Sequence, residues 1–196
     1  LRTRRQRQMC IRDRSKGEKV SGMMTCNLGL QNMQEKGRIR WATETDVPAV
    51  MELIRELAEY ERALDQVNIG EDVLLRDGFG PDPAYGLLVL EPADRDEVVG
   101  IALFYQKYST WNGRCLYLED LVVTETERGK GYGLQLFAAV AAETAKRGCA
   151  YMQWQVLDWN EPAIGFYRSL GSAVEGEWLN GRLEGEALSA LAATSV

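Results

Sequence analysis

The chain has 196 residues and a net charge of −6, which suits one globular domain with a tail. It has four cysteines and no histidine, which argues against a disulfide scaffold and against a zinc site. We therefore expect no metal and a reduced, cytoplasmic chain. No apolar run reaches the roughly 18 residues of a membrane span, so no membrane partner is predicted.

The first 22 residues differ in charge from the rest of the chain. They hold eight Lys/Arg against Asp13 and Glu18, so the remaining residues carry a net charge of −12. We interpret residues 1–32 as a disordered or non-native basic leader, with a transit peptide as the alternative, and residues 33–196 as the domain. The acidic balance of the domain argues against a nucleic-acid partner and suits a cationic substrate.

Hydrophobic patterning predicts a mixed α/β sheet and not a purely parallel one. Asp46 or Thr45 can cap the first helix, Asn112-Gly113 marks an antiparallel hairpin, and Asn160 can cap the helix that follows it. The predicted elements are, in chain order, strand 38–42, helices 44–64 and 70–80, strands 85–91, 97–108 and 114–123, helix 134–148, strand 149–157, helix 160–171, a strand or hairpin over 172–184, and helix 185–193.

The stretch ERGKGYGLQLF, residues 127–137, joins a predicted strand to a predicted helix. Its three glycines allow a left-handed backbone and close approach of a ligand, and the free N–H groups of a helix start attract anions. Arg128 and Lys130 add positive charge. We predict a phosphate or pyrophosphate site here, with a plain tight turn as the alternative. The spacing matches neither a P-loop nor the dinucleotide-binding fingerprint.

These residues carry a resemblance to a known family. The run RGKGYG resembles the acetyl-CoA loop, R-x-x-G-x-G, of the GNAT acetyltransferase superfamily. ELAEYE, DGFG, YLED and WNEPAIGFYRSLG resemble, in the same order, the spermidine/spermine (diamine) acetyltransferases over residues 38–193. The resemblance implies an α+β fold with flanking helices and a twisted, mostly antiparallel sheet that splays between its fourth and fifth strands. It also implies acetyl-CoA as co-substrate in that cleft, and a homodimer.

The same resemblance implies which residues bind the coenzyme. The loop from Gly129 to Leu134 would hold the pyrophosphate, the strand end would offer backbone groups to the pantetheine arm, and Tyr167 would stand beside the sulfur. The full set is Leu121, Val122, Val123, Arg128, Gly129, Lys130, Gly131, Tyr132, Gly133, Leu134, Asn160, Glu161, Pro162 and Tyr167.

Two of these expectations concern catalysis. An aliphatic amine has a pKa near 10.4, so a base must remove its proton before it attacks a thioester. The resemblance assigns that part to Glu119, and it assigns to Tyr167 the part of the acid that protonates the leaving thiolate. The alternatives are a solvated hairpin end for Glu119 and Asp120, and an ordinary core tyrosine for Tyr167.

The resemblance also implies an amine pocket, whose members come from five segments. Ser109-Thr110-Trp111 resembles the thialysine-acetylating branch, because polyamine-preferring members have an acid at the position of Ser109. We therefore expect a small diamine, a polyamine or a basic amino acid as substrate. Acetylation of protein or peptide amines, or a non-catalytic acetyl-CoA sensor, are the alternatives. The proposed pocket consists of Tyr60, Glu61, Ser109, Thr110, Trp111, Glu119, Asp120, Gln153, Trp154 and Gln155, with either Glu175 or Glu177 facing the substrate.

Overall fold

The computed structural model describes residues 37–176 and 179–194. The helices and strands of these residues follow the predicted order. The strands are β1 (Arg38–Trp41), β2 (Gly86–Glu91), β3 (Gly100–Ser109), β4 (Gly113–Val123) and β5 (Tyr151–Gln153). The helices are α1 (Val47–Tyr60), α2 (Glu71–Phe79), α3 (Tyr132–Lys146), α4 (Glu161–Ser169) and α5 (Gly185–Ala192). None of the described helices is long and apolar enough to cross a membrane. The predicted leader, residues 1–32, lies outside the described residues, so the division of the chain into leader and domain stays a prediction.

The five strands form one sheet in the order β1-β2-β3-β4-β5. The first three pairings are antiparallel, and β4 pairs with β5 in parallel. The parallel ladder is short, because it begins at Cys115↔Tyr151 and ends at Tyr117↔Gln153. The mixed, mostly antiparallel sheet that splays between its fourth and fifth strands is therefore confirmed.

Each face of the sheet has its own apolar core. Phe104, Leu116 and Leu118 face α3 and pack with Leu136 and Val140 of that helix. Alternation along a strand sends neighbouring side chains to the other face. That second face packs against α1 and α2, and its buried residues include Val50, Met51, Leu74, Val89, Ile101, Leu103 and Val122.

Helix α1 is shorter than predicted at both ends. Asp46 precedes it as expected, but its carboxylate accepts from the Thr43 N–H at 2.7 Å and pairs with Arg40, so it fastens α1 to β1. The helix ends at Tyr60 and not at residue 64. Arg62 takes a left-handed φ of 59°, and the Ala63 N–H donates to the Ala58 carbonyl at 2.8 Å, which closes the helix in a Schellman-type turn.

Two predictions for the C-terminal third were wrong. The predicted strand over 149–157 is paired only from Tyr151 to Gln153, because β5 diverges from β4 after that point. The predicted strand or hairpin over 172–184 is absent from its described parts, residues 172–176 and 179–184. Gly176 and Gly181 lie in this segment, and glycine weakens strands.

Candidate active site

The unpaired half of β4 borders a gap in the sheet. Its ladder with β5 ends at Tyr117, so within the described part of the chain residues 118–123 have no strand partner on that side. The Thr124 N–H donates to the Val99 carbonyl at 2.9 Å, towards β3. Because a trans peptide points its C=O and N–H in opposite directions, the backbone groups of Val123 and Leu121 face the gap. Val122 turns its backbone towards β3 and buries its side chain against α1. The gap can therefore bind an extended ligand through the main chain.

A β-bulge lies in β4 beside this gap. Leu103 pairs with Asp120 and Phe104 pairs with Leu118, so Glu119 is the extra residue between them. A bulged residue is free of the ladder and its side chain is re-aimed. Glu119 is exposed, whereas Leu118 is buried beside it. The bulge thus presents the candidate base to solvent from within a core strand.

The glycine-rich loop has the geometry of an anion site. Gly129 and Gly131 take left-handed φ values of 78° and 85°, which other residues rarely adopt. The first bond within α3 runs from the Gln135 N–H to the Gly131 carbonyl at 3.2 Å. The N–H groups of the first turn, from residue 132 to residue 134, consequently have no acceptor within the helix. A Cβ at Gly133 would meet no atom closer than Val123 Cγ2 at 4.0 Å, so there is room beside the loop for a ligand.

The two cations of the loop are both held by carboxylates. Arg128 donates to the Val123 carbonyl at 2.9 Å, lies 3.5 Å from the Glu56 carboxylate and stacks 5.3 Å from the centre of the Tyr60 ring. Lys130 pairs with the buried Glu127 at 2.9 Å. Both side chains therefore brace the loop itself, and its backbone N–H groups are the part left for an anion.

Glu56 contacts the glycine-rich loop, a contact that the sequence did not predict. Its carboxylate accepts from the Glu125 N–H at 2.7 Å and thereby fastens the entrance of the loop to α1. In the sequence Glu56 is one of several acidic residues on an amphipathic helix, and nothing distinguishes it from Glu52 or Glu59. The contact spans 69 residues of chain.

Helix α4 carries two parts of the predicted coenzyme site, namely its first turn after Asn160 and, further along, Tyr167. The Asn160 side chain caps it by accepting from the Ala163 N–H at 3.3 Å, as predicted, and also accepts from the Tyr60 hydroxyl at 3.1 Å. Glu161 and Pro162 form its exposed first turn. These contacts connect the end of α1 to the start of α4.

Tyr167 lies two turns along α4 within an aromatic cluster. Its ring is 4.8 Å from that of Trp154, 5.5 Å from Phe137 and 5.2 Å from Phe166, and the residue is 7% exposed. Burial raises the pKa of its phenol to about 12. No side-chain oxygen among the described residues is both buried and without a hydrogen-bond partner. The apolar surroundings keep Tyr167 protonated and fix its ring.

The carboxylates of Glu61, Glu119 and Asp120 lie close together on the face of the sheet that packs against α1. Burial raises the pKa of Asp120 to about 6, and the nearby Glu119 and Glu61 carboxylates add to this effect. Burial also raises the pKa of Glu61, which lies at the end of α1. Glu119 in turn helps to raise the pKa of the neighbouring phenols of Tyr105 and Tyr117, after burial. Repulsion among these groups favours the binding of a cation.

Asp120→Asn is expected to stabilise the ligand-free protein at neutral pH by about 3 kcal/mol, since the pKa of Asp120 rises from 3.8 to about 6 on folding and one pKa unit corresponds to roughly 1.4 kcal/mol. The folded pKa of about 6 lies above the unfolded value. Ionisation of Asp120 therefore removes stability as pH rises from about 4 through 6, and the difference between wild type and variant should vanish below about pH 4. Urea unfolding at several pH values measures it. A constant difference at all pH values would contradict the shift.

The hairpin tip is the predicted part that does not join the site within one chain. Ser109 pairs with Gly113 at the end of the β3–β4 ladder, and its hydroxyl accepts from the Trp111 and Asn112 N–H groups at 3.2 Å each. Glu119 is six residues further along β4, about 20 Å at the usual strand rise. Thr110 and Trp111 are exposed at this tip, Trp111 by 88%.

The remaining predicted pocket residues take different positions. Gln153 accepts from the Lys107 ammonium at 3.1 Å, Trp154 packs on Tyr167, and the exposed Gln155 donates to Asn180 at 2.7 Å. Tyr132, which was predicted with the coenzyme-binding loop, buries its ring in the core at the start of α3. Glu175 is exposed, and Glu177 lies outside the described residues, so the choice between these two acids stays open.

The acetyltransferase (GNAT) family matches residues 47–171. The chain is 44% identical to a thialysine N-epsilon-acetyltransferase of Mus musculus over 79% of this chain and 96% of that protein. It is 30% identical to an L-ornithine N5-acetyltransferase of Arabidopsis thaliana over 79% and 87% of the two chains. A solved aminoglycoside N-acetyltransferase in complex with CoA superposes with a TM-score of 0.62 at 18% identity, over 80% of this chain and 100% of that one.

Proposed function

Because the chain belongs to the GNAT family of acetyltransferases, we propose that it transfers the acetyl group of acetyl-CoA to the primary amine of a small cationic substrate. The substrate class is a diamine, a polyamine or a basic amino acid such as thialysine. The relatives act, by their names, on thialysine and ornithine. The single observation that carries the choice of a cation is the meeting of Glu61, Glu119 and Asp120 beside the unpaired half of β4.

Acetyl-CoA fits the residues along the gap. The free N–H groups at the start of α3 suit a pyrophosphate, and the inward-facing backbone of Leu121 and Val123 suits the amides of a pantetheine arm. Val123 keeps its N–H for this purpose, since its carbonyl accepts from Arg128. Acetyl-CoA supplies the activated acetyl group, and no metal takes part in the proposal.

The amine must lose a proton before it can react. Near pH 7 only about one aliphatic amine in 2,500 is neutral, which corresponds to roughly 4–5 kcal/mol. Glu61 and Asp120 attract the ammonium, and Glu119, exposed on its bulge, accepts the proton directly or through water. The neutral amine then attacks the thioester in a ternary complex, so no covalent enzyme intermediate is needed.

Tyr167 is the proposed donor to the leaving sulfur. A thiol has a pKa near 8.5, far below the pKa of about 12 that burial gives this phenol. Tyr167 therefore remains protonated at physiological pH and donates its hydrogen bond to the thiolate as charge develops there. Trp154 and Phe137 pack against the Tyr167 ring, and these apolar surroundings strengthen a hydrogen bond that the hydroxyl donates.

We further propose that the protein is a homodimer in the cytoplasm. The hairpin tip with Trp111 is too far along β4 to reach Glu119 of its own chain, so we propose that it contacts the amine pocket of a second copy. An exposed tryptophan is a frequent anchor of protein interfaces. Cys115 and Cys149 are free thiols, which suits a reducing compartment.

Release of free thiol from acetyl-CoA tests the proposed function. The acceptors to compare are spermine, spermidine, putrescine, ornithine, lysine, thialysine and a peptide with a free N-terminus. Turnover of one or more small amines, with at least about tenfold lower kcat/KM for the peptide, is expected because three clustered carboxylates favour a compact cation. Turnover of the peptide alone would contradict the small-amine proposal and support a protein substrate.

A further inference from the structure

The sheet face that packs against α1 and α2 is covered at one end only. Ile101 and Leu103 of β3 are buried under α1, but Lys107, further along the same face, is exposed. Tyr105 lies between them and pairs with Tyr117 of β4, with ring centres 5.2 Å apart. We name this part of the face, formed by Tyr105, Lys107, Tyr117 and Gln153, the tyrosine strip.

Lys107 lies across the strip instead of extending into solvent. Its ammonium is 5.2 Å from the centre of the Tyr117 ring and donates to the Gln153 side chain at 3.1 Å. No ion pair within residues 37–176 and 179–194 includes Lys107, in contrast to Arg128 and Lys130 of the loop. Its positive charge is therefore available to an anionic group that enters the strip.

The opposite end of the strip is negative. Asp120 pairs with Leu103, two residues before Tyr105, which is about 7 Å along the strand. The Glu119 carboxylate is near enough to the phenol of Tyr117 to contribute, after burial, to its raised pKa. The strip thus has carboxylates at one end, two tyrosine rings in the middle and an ammonium at the far end.

We propose that Lys107 binds the carboxylate of an amino-acid substrate and so selects basic amino acids over diamines and polyamines. The inference rests on the proposed function and narrows its substrate class. The side-chain nitrogen of an extended lysine is about 6 Å from its α-carbon, as single bonds near 1.5 Å require, which is close to the roughly 7 Å along the strand between the level of Asp120 and Tyr105. The methylene chain lies against the two tyrosine rings. A polyamine would instead bring a second ammonium towards Lys107.

Two matched pairs of amines measure the contribution of the substrate carboxylate to recognition. Lysine differs from cadaverine, and ornithine from putrescine, by that group alone. Wild type is expected to prefer the amino acid of each pair. Lys107→Met should lower the ratio of kcat/KM for lysine over cadaverine by about tenfold, as the loss of a charged hydrogen bond predicts. The change should appear in KM with kcat nearly constant, because Lys107 contacts no reacting atom. Lys107→Arg should keep most of the preference.

Arg114→Met is the matched control. Arg114 is an exposed cation of the same hairpin, but it pairs with Tyr108 and so points to the other face of the sheet. The variant has the same net charge as Lys107→Met. It should keep the wild-type ratio of the two amines.

Three results would overturn the role of Lys107. They are an unchanged ratio in Lys107→Met, an equal loss in Arg114→Met, or a wild type that prefers cadaverine to lysine. Each of these leaves acetyl transfer to small amines intact. A wild type that acetylates none of the four amines, nor thialysine or spermidine, would instead refute the proposed function, and the role of Lys107 with it.

Discussion

Tyr167→Phe is expected to lower kcat about hundredfold or more, the usual range for removal of a hydrogen-bond donor that stabilises developing negative charge. The ring remains, so packing against Trp154, Phe137 and Phe166 is preserved. Acetyl-CoA should therefore bind as in wild type, which calorimetry can measure beside steady-state thiol release. Because burial holds the pKa of Tyr167 at about 12, wild-type kcat should show no loss from its ionisation below about pH 11.

A second phenol serves as the control for Tyr167. Tyr85 is partly buried and donates from its hydroxyl to the Leu74 carbonyl at 2.7 Å, in the layer that holds α2. Tyr85→Phe should lower the melting temperature and leave kcat unchanged. If Tyr167→Phe behaved in the same way, Tyr167 would be a core residue with no part in the chemistry.

Glu119→Gln is expected to lower kcat/KM for the amine by about 10²–10³-fold at pH 7, as for loss of a general base. The variant must then use the small neutral fraction of amine in solution. Its kcat/KM should rise about tenfold for each pH unit up to the pKa of the amine, near 10.4. The pH–rate profiles of wild type and variant should therefore converge as pH rises, which measurement of kcat/KM over this range checks.

Glu186→Gln provides the comparison for Glu119. Glu186 is exposed in α5 and changes the net charge by the same amount. Its pH–rate profile should coincide with that of wild type. A Glu119→Gln profile that ran parallel to wild type at every pH would remove the base from this position and favour proton loss to bulk water.

The parts of the fold that the sequence predicted depend on local chemistry. Asn160 caps α4 by accepting from the Ala163 N–H, and Gly131 begins α3 in a left-handed conformation. Such features need only a few neighbouring residues. The split after β4 came from the family resemblance and not from periodicity. It was confirmed where the β4–β5 ladder ends at Tyr117.

The parts that could not be predicted depend on contacts between distant segments. The bulge at Glu119 is visible only when β3 is paired with β4, because the sequence of one strand does not show how many residues of the other strand lie opposite it. The Glu56 contact to the loop likewise joins α1 to a segment 69 residues away. The resemblance assigned the hairpin tip to the pocket. Within one chain, however, six residues of β4 lie between the tip and Glu119.

The bulge also frees one position of β4 from the pairing of the sheet. Leu103 and Phe104 are consecutive in β3, and their partners Asp120 and Leu118 would be consecutive in β4 if Glu119 were absent. The ladder on either side is thus already in the register of an uninterrupted strand. Glu119 stands outside this register, so the ladder places little constraint on the side chain at this position. The side chain at this position can therefore change without a change of register, while the buried Leu116 and Leu118 remain in the core beside α3.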